Sequence, residues 1–485
     1  MTSAPIPATA DFAIHNDRLR RLPAHDDPTL RTLFARQSPI FVARAPGRLD
    51  VMGGIGDYSG SLVLEMPIAE AAFAAVQHSN EPGLLLASLA QTNSEVSRFA
   101  KISSQKWSHL QRIDYDAIGE ELRSDSSVAW ATYILGSVLT LLRETRTHLP
   151  GGLRILIDSQ VPEGKGVSSS AAIEVAAMRA TAALLKIDLP GEELARLCQL
   201  AENCIVGAPC GIMDQMTSAL GRPNELLALR CQPACIEGFV PVPNEIAFWG
   251  IDSGIRHAVT GADYTSVRCG AFMGYRIIAE AAELNTKPSR SHQDVLEIDD
   301  PRWQGYLANI TPGEFQDRYA SILPERMQGR DFLARYDGTT DSVTRVDPTR
   351  THAVRSPTLH PIEENARVHQ FRSLLEAPIT HQSFTEMGQL MNASHASYTA
   401  CGLASEGTDL LAQLVNKTAH ATALYGAKIT GGGSGGTVAI LGRADAGPAV
   451  DHIAQQYSEL TGRQSYVFRG SSPGAYHTPV MEVII

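Results

Sequence analysis

Residues 161–185 read VPEGKGVSSSAAIEVAAMRATAALL, and this stretch decides the fold. Two glycines, Gly164 and Gly166, and three serines, Ser168 to Ser170, stand directly before an alanine-rich run. The run predicts a helix over Ser170–Leu185, with Ile173, Val175, Met178 and Leu184 as its larger apolar groups, a pattern suited to burial on several sides. Backbone N–H groups and small hydroxyls at such a helix start lie where the positive end of the helix dipole points, and a polyphosphate would be held there. The common phosphate loop, GxxxxGK followed by Ser or Thr, is not matched, because Gly166 follows Lys165 and position 159 is Ser. An ordinary glycine-rich loop capped by serine would read the same way.

On either side of this stretch, strands and helices interleave. A helix around Val128–Thr145 and the strand GLRILIDS (152–159) precede it; the helix EELARLCQLAENCIV (192–206), the turn GAPCGIMDQ (207–215) and the strand Phe248–Gly254 follow, with a further helix from about Ser266. Nearer the start, the strand FVARAP runs into a glycine-rich turn, GRLDVMGGIGDYSG (47–60), and apolar strands resume in SLVLEMPIAEAAFAAVQ. Residues 285–360 are rich in Pro, Asp, Arg and Thr and read as an irregular insertion with a few short helices; amphipathic helices return from Glu363. The class is mixed α/β or α+β, in two domains meeting near residue 250.

Composition narrows the function. At 485 residues and 44% hydrophobic content, the chain is too apolar for disorder and long enough for about two or three domains. The net charge of −11, without a long single-sign block, disfavours non-specific nucleic-acid binding. Seven cysteines with no CxxC pair point to reduced thiols in a cytosol-like compartment. The start lacks the pattern of a secretory signal. The most apolar later window, VAWATYILGSVLTLL, is shorter than the roughly 20 residues that cross a bilayer. A soluble, cytoplasmic protein without membrane partners is expected.

Four further groups could carry chemistry. Asp214 stands in an apolar, glycine-containing turn, where a carboxylate is costly unless paired; it reads as a catalytic carboxylate or as a helix N-cap. Glu202, near a helix end, reads as a hard-oxygen ligand for Mg²⁺ or as a solvated helix carboxylate. Arg44, Arg48, Asp50 and Asp57 surround glycines that let a ligand approach the backbone, a polar site of undefined ligand. The run Gly431-Gly432-Gly433-Ser434-Gly435-Gly436 matches both GxGxxG and GxSxG, the second offering Ser434 with Asp451 and His477 in hydrolase order. Both patterns require a helix immediately afterwards. TVAILG reads instead as a strand, so the loop is expected to join two strands.

Taken together and in this order, the clusters resemble those of the GHMP small-molecule kinases, in the sugar-1-kinase branch. RAPGR followed by GDYSGSLVLEMPI looks like the galactokinase signature, VPEGKGVSSSAA resembles the family's phosphate loop, GAPCGIMDQ its base-bearing turn and KITGGGSGGTVAIL its third motif. Within the branch, VMGG, DYSG, FWGIDSGIRH and GADY look like the kinase domain of plant L-arabinokinases, and the likeness covers the chain from about residue 40.

The resemblance implies an α+β fold, with a ribosomal-protein-S5-like N-terminal domain, a ferredoxin-like C-terminal domain and the active site in the cleft between them. The divisions would be a lead-in at 1–38, an N-terminal domain at 39–248 and a C-terminal domain at 249–485 carrying the insertion at about 285–360. ATP and Mg²⁺ would be bound together with a small sugar; oligomeric state stays open. Asp214 would take the proton from the anomeric hydroxyl, with Arg48 stabilising that carboxylate and the developing charge. Ser170 and Glu202 would hold Mg²⁺. The nucleotide would be bound by Gly164, Lys165, Gly166, Val167, Ser168, Ser169, Ser170 and Ala171 at its phosphates and by Trp130 and Tyr133 near the adenine. Asp57, Tyr264 and Gly211 would contact sugar hydroxyls, and Gly431, Gly432, Gly433 and Ser434 would close the site.

One departure bears on the substrate. Galactokinases carry Glu-His where this chain has Gly54 and Ile55, and that pair reaches the exocyclic hydroxymethyl group of galactose. L-Arabinopyranose has hydrogen there, so an aliphatic side chain can fill the space. An unpaired buried polar group costs about 1 to 3 kcal/mol, enough for roughly tenfold discrimination. Arabinose is therefore expected over galactose. Galactokinase activity and a non-catalytic sugar and ATP sensor are the alternatives.

Overall fold

The structure is a computed structural model that describes residues 10–89, 97–256, 262–289 and 295–485. Seven strands, β1 (Ile40–Met52), β2 (Leu62–Ser79), β3 (Gly83–Ser88), β4 (Arg98–Ile102), β5 (Gly152–Ser159), β6 (Glu225–Arg230) and β7 (Cys235–Pro241), form the larger sheet with the terminal strand Met481–Val483. Its order is Met481–Val483, β1, β2, β5, β3, β4, with β6 and β7 branching from β2. The branch arises because β2 is long: Leu62–Glu65 pairs with β6 and Ala72–Ser79 with β5. β1 and β2 are covered on both faces, so even their charged residues Arg44, Arg48, Asp50 and Glu65 are buried.

Three helices, Thr132–Glu144, Ser169–Leu184 and Gly191–Ala201, share a core with this sheet in which Val138, Val175, Met178 and Leu194 meet Val76, Leu86 and Ile155. The smaller sheet is antiparallel in the order Leu424–Ile429, Thr437–Arg443, β8 (Ile246–Asp252), Val467–Arg469. Helices Glu406–Thr422 and Gly447–Thr461 supply Leu411, Val415, Val450 and Ile453 to its core.

In three places the sequence expectation is revised. The strand before the first glycine-rich turn does not end at Pro46; β1 continues to Met52, with register shifts between Pro46 and Arg48 and between Asp50 and Met52. Gly47 suggested a turn but marks a close approach: a Cβ there would lie 2.5 Å from the Val167 carbonyl oxygen. Arg48 and Asp50 are thus held on a strand rather than a loop. The helix expected from Glu363 begins at Arg355, and Pro361 inside it hides the continuation from pattern reading. The division expected at 248/249 falls within β8, all of which belongs to the smaller sheet, while Met481–Val483 crosses back to pair with Ile40–Val42 of β1.

The insertion carries more structure than its composition suggests. A hairpin pairs Asn285–Pro288 with Leu296–Asp299, helices form at Pro312–Arg318 and Gly329–Tyr336, and Arg326–Gln328 pairs with Thr351–Ala353.

Candidate active site

Between β5 and the helix Ser169–Leu184, Gly164, Gly166 and Ser168 all take left-handed backbone angles, with φ of 71, 72 and 59°. Such an alternation turns successive N–H groups toward one side, a concavity suited to anions. No described side chain caps the helix start, and the Ser168 hydroxyl is buried without a partner. The donors that a cap would satisfy are left for a ligand. Arg48 fixes the loop: its N–H donates to the Val167 carbonyl at 3.1 Å and its Nη1 to the Gly166 carbonyl at 2.7 Å.

Gly164, Gly166 and Ser168 to Ser170 line a pocket of about 670 Å³, open mouth included. The other three loop residues do not line it. Lys165 turns its amine to Asp252 on β8, 2.6 Å away, and Val167 and Ala171 are buried in the interior.

Across the pocket stands Asp214, in the first turn of the helix Met213–Leu220. The N-cap of this helix is Ile212, which removes the capping alternative. Arg48 holds one Asp214 oxygen at 2.7 Å from Nη2 and 2.9 Å from Nε. Burial would lower the guanidinium's pKa, but Asp214, Glu65 and Asp50 together hold it above its ordinary value. Glu65, on β2, lies 3.3 Å from Arg48 Nε and is fully buried, with neither carboxylate oxygen hydrogen-bonded. Burial first, then the charge of Asp50, pushes Glu65 well above the usual carboxylate range.

Asp57, Gly211, Tyr264 and Ile55 line the same pocket. Asp57 is 2% exposed and accepts the Tyr58 N–H at 3.0 Å. Burial, then the charge of Asp214, lifts its pKa to about 6, against the pull of Arg268. Gly211 must be glycine, because a Cβ would lie 1.6 Å from an Asp57 oxygen. Ile55 has φ 51°, a left-handed angle that strains a β-branched residue. Gly54 does not line the pocket: a Cβ there would meet the Tyr398 hydroxyl at 2.0 Å and an Asp50 oxygen at 2.1 Å.

Glu202 begins a π-helical turn, Glu202–Val206, and is 2% exposed, so it is not a solvated helix carboxylate. Gln215 Nε2 donates to it at 2.5 Å and lies 3.4 Å from Glu174, whose other oxygen has no partner. Burial, then Asp214, raises Glu202 to about 7, partly offset by hydrogen bonds from Ser170, Cys210 and Gln215. Two carboxylates in apolar surroundings beside the phosphate loop fit a hard divalent cation, with Glu202 and the Ser170 hydroxyl facing the pocket. Among the described residues, no group of three or more His, Cys, Asp or Glu is placed to hold a metal ion. Further ligands would have to come from phosphate oxygens and water.

The run Gly431–Gly436 joins two antiparallel strands, as its flanks predict. Gly431 and Gly432 line the pocket; Gly433 and Ser434 do not, and the Ser434 N–H donates to the Leu403 carbonyl. The hydrolase alternative fails on geometry, since Asp451 pairs with Arg469 and His477 contacts the Leu220 carbonyl. Arg44 is also outside the pocket, pairing with Asp11 of the lead-in helix Ala10–Arg21. Trp130 and Tyr133, at the start of the helix Thr132–Glu144, lie outside the lining, although Tyr133 is near enough to Glu202 and Glu174 to feel their charges.

Sequence reasoning missed Glu65, Glu174, Arg268 and Asp341, and also Lys428, whose buried amine donates to Asp50 at 2.7 Å. Glu65 and Glu174 carried a usable signal, each a lone acid in an otherwise apolar run.

A glycine-rich loop at a helix start, an acid held by arginine and one shared pocket are the arrangement expected of the GHMP kinases. Three family models match: GHMP kinases N terminal domain at 132–222, galactokinase galactose-binding signature at 29–78 and GHMP kinases C terminal at 371–459. The chain is 30% identical to a galactokinase of Chloroflexus aggregans over 90% of its own length and 93% of that protein's. It belongs to the GHMP kinase family, in the sugar-kinase branch. It is also 44% identical to an L-arabinokinase of Arabidopsis thaliana over 91% of its length, and spans 47% of that longer protein. Among solved structures, the galactokinase of Lactococcus lactis complexed with galactose shares the fold, with a TM-score of 0.69 at 18% identity, covering 98% of this chain and all of that one.

Proposed function

We propose that the protein is an ATP-dependent sugar-1-kinase that transfers the γ-phosphate of ATP to the anomeric hydroxyl of L-arabinose. One observation carries this reading: a single guanidinium, that of Arg48, holds both Asp214 and the Gly166 carbonyl of the phosphate loop at 2.7 Å. The acid and the phosphate cradle therefore face one pocket at a fixed separation. Phosphoryl transfer depends on such in-line placement and on neutralised charge more than on a covalent group. Asp214 accepts the hydroxyl proton as the sugar oxygen attacks, and Arg48 balances the charge that builds up. The loop N–H groups and the helix start hold the phosphates. Mg²⁺, held by Ser170 and Glu202, would neutralise phosphate charge. Gly431 and Gly432 close over the ligands.

The substrate follows from the pocket wall and from the relative it resembles. Ile55 presents an aliphatic face where an exocyclic hydroxymethyl group would need a polar partner, and the 44% identity to an L-arabinokinase supports the same choice. Purified protein offered L-arabinose and D-galactose at matched concentrations should release ADP faster with arabinose. A clear preference for galactose would overturn the assignment, and no sugar-dependent ADP at all would indicate a sensor.

A further inference from the structure

Residues 295–354 are distant in sequence from every motif of the pocket, yet they share a core with its wall. Ile55, Tyr58 and Tyr264 belong to one buried cluster with Trp303, Phe315 and Phe332. Tyr306 packs directly on Gly60, where a Cβ would lie 2.8 Å from its side chain.

The same segment supplies a buried carboxylate that reaches the pocket wall through an arginine. Asp341 is 3% exposed and accepts five hydrogen bonds: Arg268 Nε at 2.9 Å, Arg268 Nη2 at 2.8 Å, the N–H groups of Val343 and Thr344 at 3.1 Å, and the Thr344 hydroxyl at 2.6 Å. Three of these come from its own loop, so the carboxylate is fixed before it meets Arg268. Paired in this two-pronged way, Arg268 has little freedom to swing. Its Nη1 points to the Cys210 carbonyl at 3.4 Å, and its guanidinium carbon lies 5.6 Å from the centre of the Tyr58 ring. Cys210 and Gly211 form the turn that presses on Asp57.

We propose that the insertion builds the back of the sugar pocket, and that Asp341, acting through Arg268, is a positioning residue that keeps the Cys210–Gly211 turn and Asp57 in register for the sugar. Neither residue lines the pocket, so neither is catalytic. The inference rests on the sugar-kinase reading but not on which sugar is used.

The test is steady-state kinetics of Asp341→Asn with sugar and ATP varied independently, using whichever sugar the wild-type enzyme prefers. The sugar KM should rise about tenfold, the size expected when one set of positioning contacts loosens, with the ATP KM changing less than about twofold. A merely structural role would lower the active fraction, and thus kcat, with both KM values unchanged. Arg268→Lys, which keeps the charge but loses the fork and leaves the Asp341 loop bonds intact, should shift the sugar KM in the same direction, and it serves if Asp341→Asn does not fold. An unchanged sugar KM in the folded variants, or an equal rise in both KM values, overturns the proposal. Wild-type preference for galactose would sink the arabinose assignment and leave this one standing.

Discussion

Two arginines are almost wholly buried beside the pocket, Arg48 with 3% and Arg268 with 7% of its side chain exposed, and they are satisfied in opposite ways. Arg48 is shared among Asp214, Glu65 and a loop carbonyl, and no single partner fills its donors. Arg268 meets one carboxylate, Asp341, whose hydrogen-bonding capacity is filled. An over-subscribed cation leaves an acid able to take up a proton. A fully matched pair has nothing left to react and serves to hold position. On the proposed reading, the contrast separates the chemistry, on the Arg48 side, from the shape of the sugar site, on the Arg268 side.

The largest expected effect strikes the first region. Asp214→Asn keeps the size and most hydrogen bonds of the side chain but removes the proton acceptor, so kcat should fall by about 10³-fold while nucleotide affinity, measured by titration calorimetry, changes less than about twofold. Near-normal turnover would erase the distinction between the two arginines. The Asp341 variants test the second region through KM. A smaller change is expected from Ile55→Gly, which relieves the left-handed strain at φ 51° and opens the wall. Competition assays should show the galactose-to-arabinose ratio of kcat/KM rising by about tenfold, the range for adding or removing an aliphatic group.

The smallest effect is one of pH. Burial and Asp214 lift the Asp57 carboxyl to about 6, and its ionised form would be the stronger acceptor for sugar hydroxyls. Lowering the pH through about 6 protonates it, so kcat/KM for the sugar should fall a few-fold, and Asp57→Asn should abolish that midpoint.

Much of the Arg48 region was legible in the sequence. Gly164, Gly166 and the serines announced a tight glycine-rich turn into a helix start, and Asp214 stood out as an acid among apolar neighbours. These are local signals, because backbone freedom and charge burial leave marks within a few residues. The strand running through Gly47 was hidden, since the glycine there answers a contact with Val167, which is remote in sequence. Gly54 was misplaced for the same reason: Tyr398 and Asp50 occupy the space beside it. The Arg268 region was illegible. Asp341 lies 73 residues from its partner, and an isolated Asp in a polar insertion looks like any solvated carboxylate. Only the fold shows that it is buried.

The central claim, one pocket in which Asp214 activates an anomeric hydroxyl beside a triphosphate, is tested most directly by phosphorus NMR of the product made from L-arabinose and ATP. The account predicts a single sugar phosphate whose phosphorus couples to the anomeric proton, formed in step with ADP. Phosphate on another hydroxyl, or ADP accompanied only by inorganic phosphate, would contradict it.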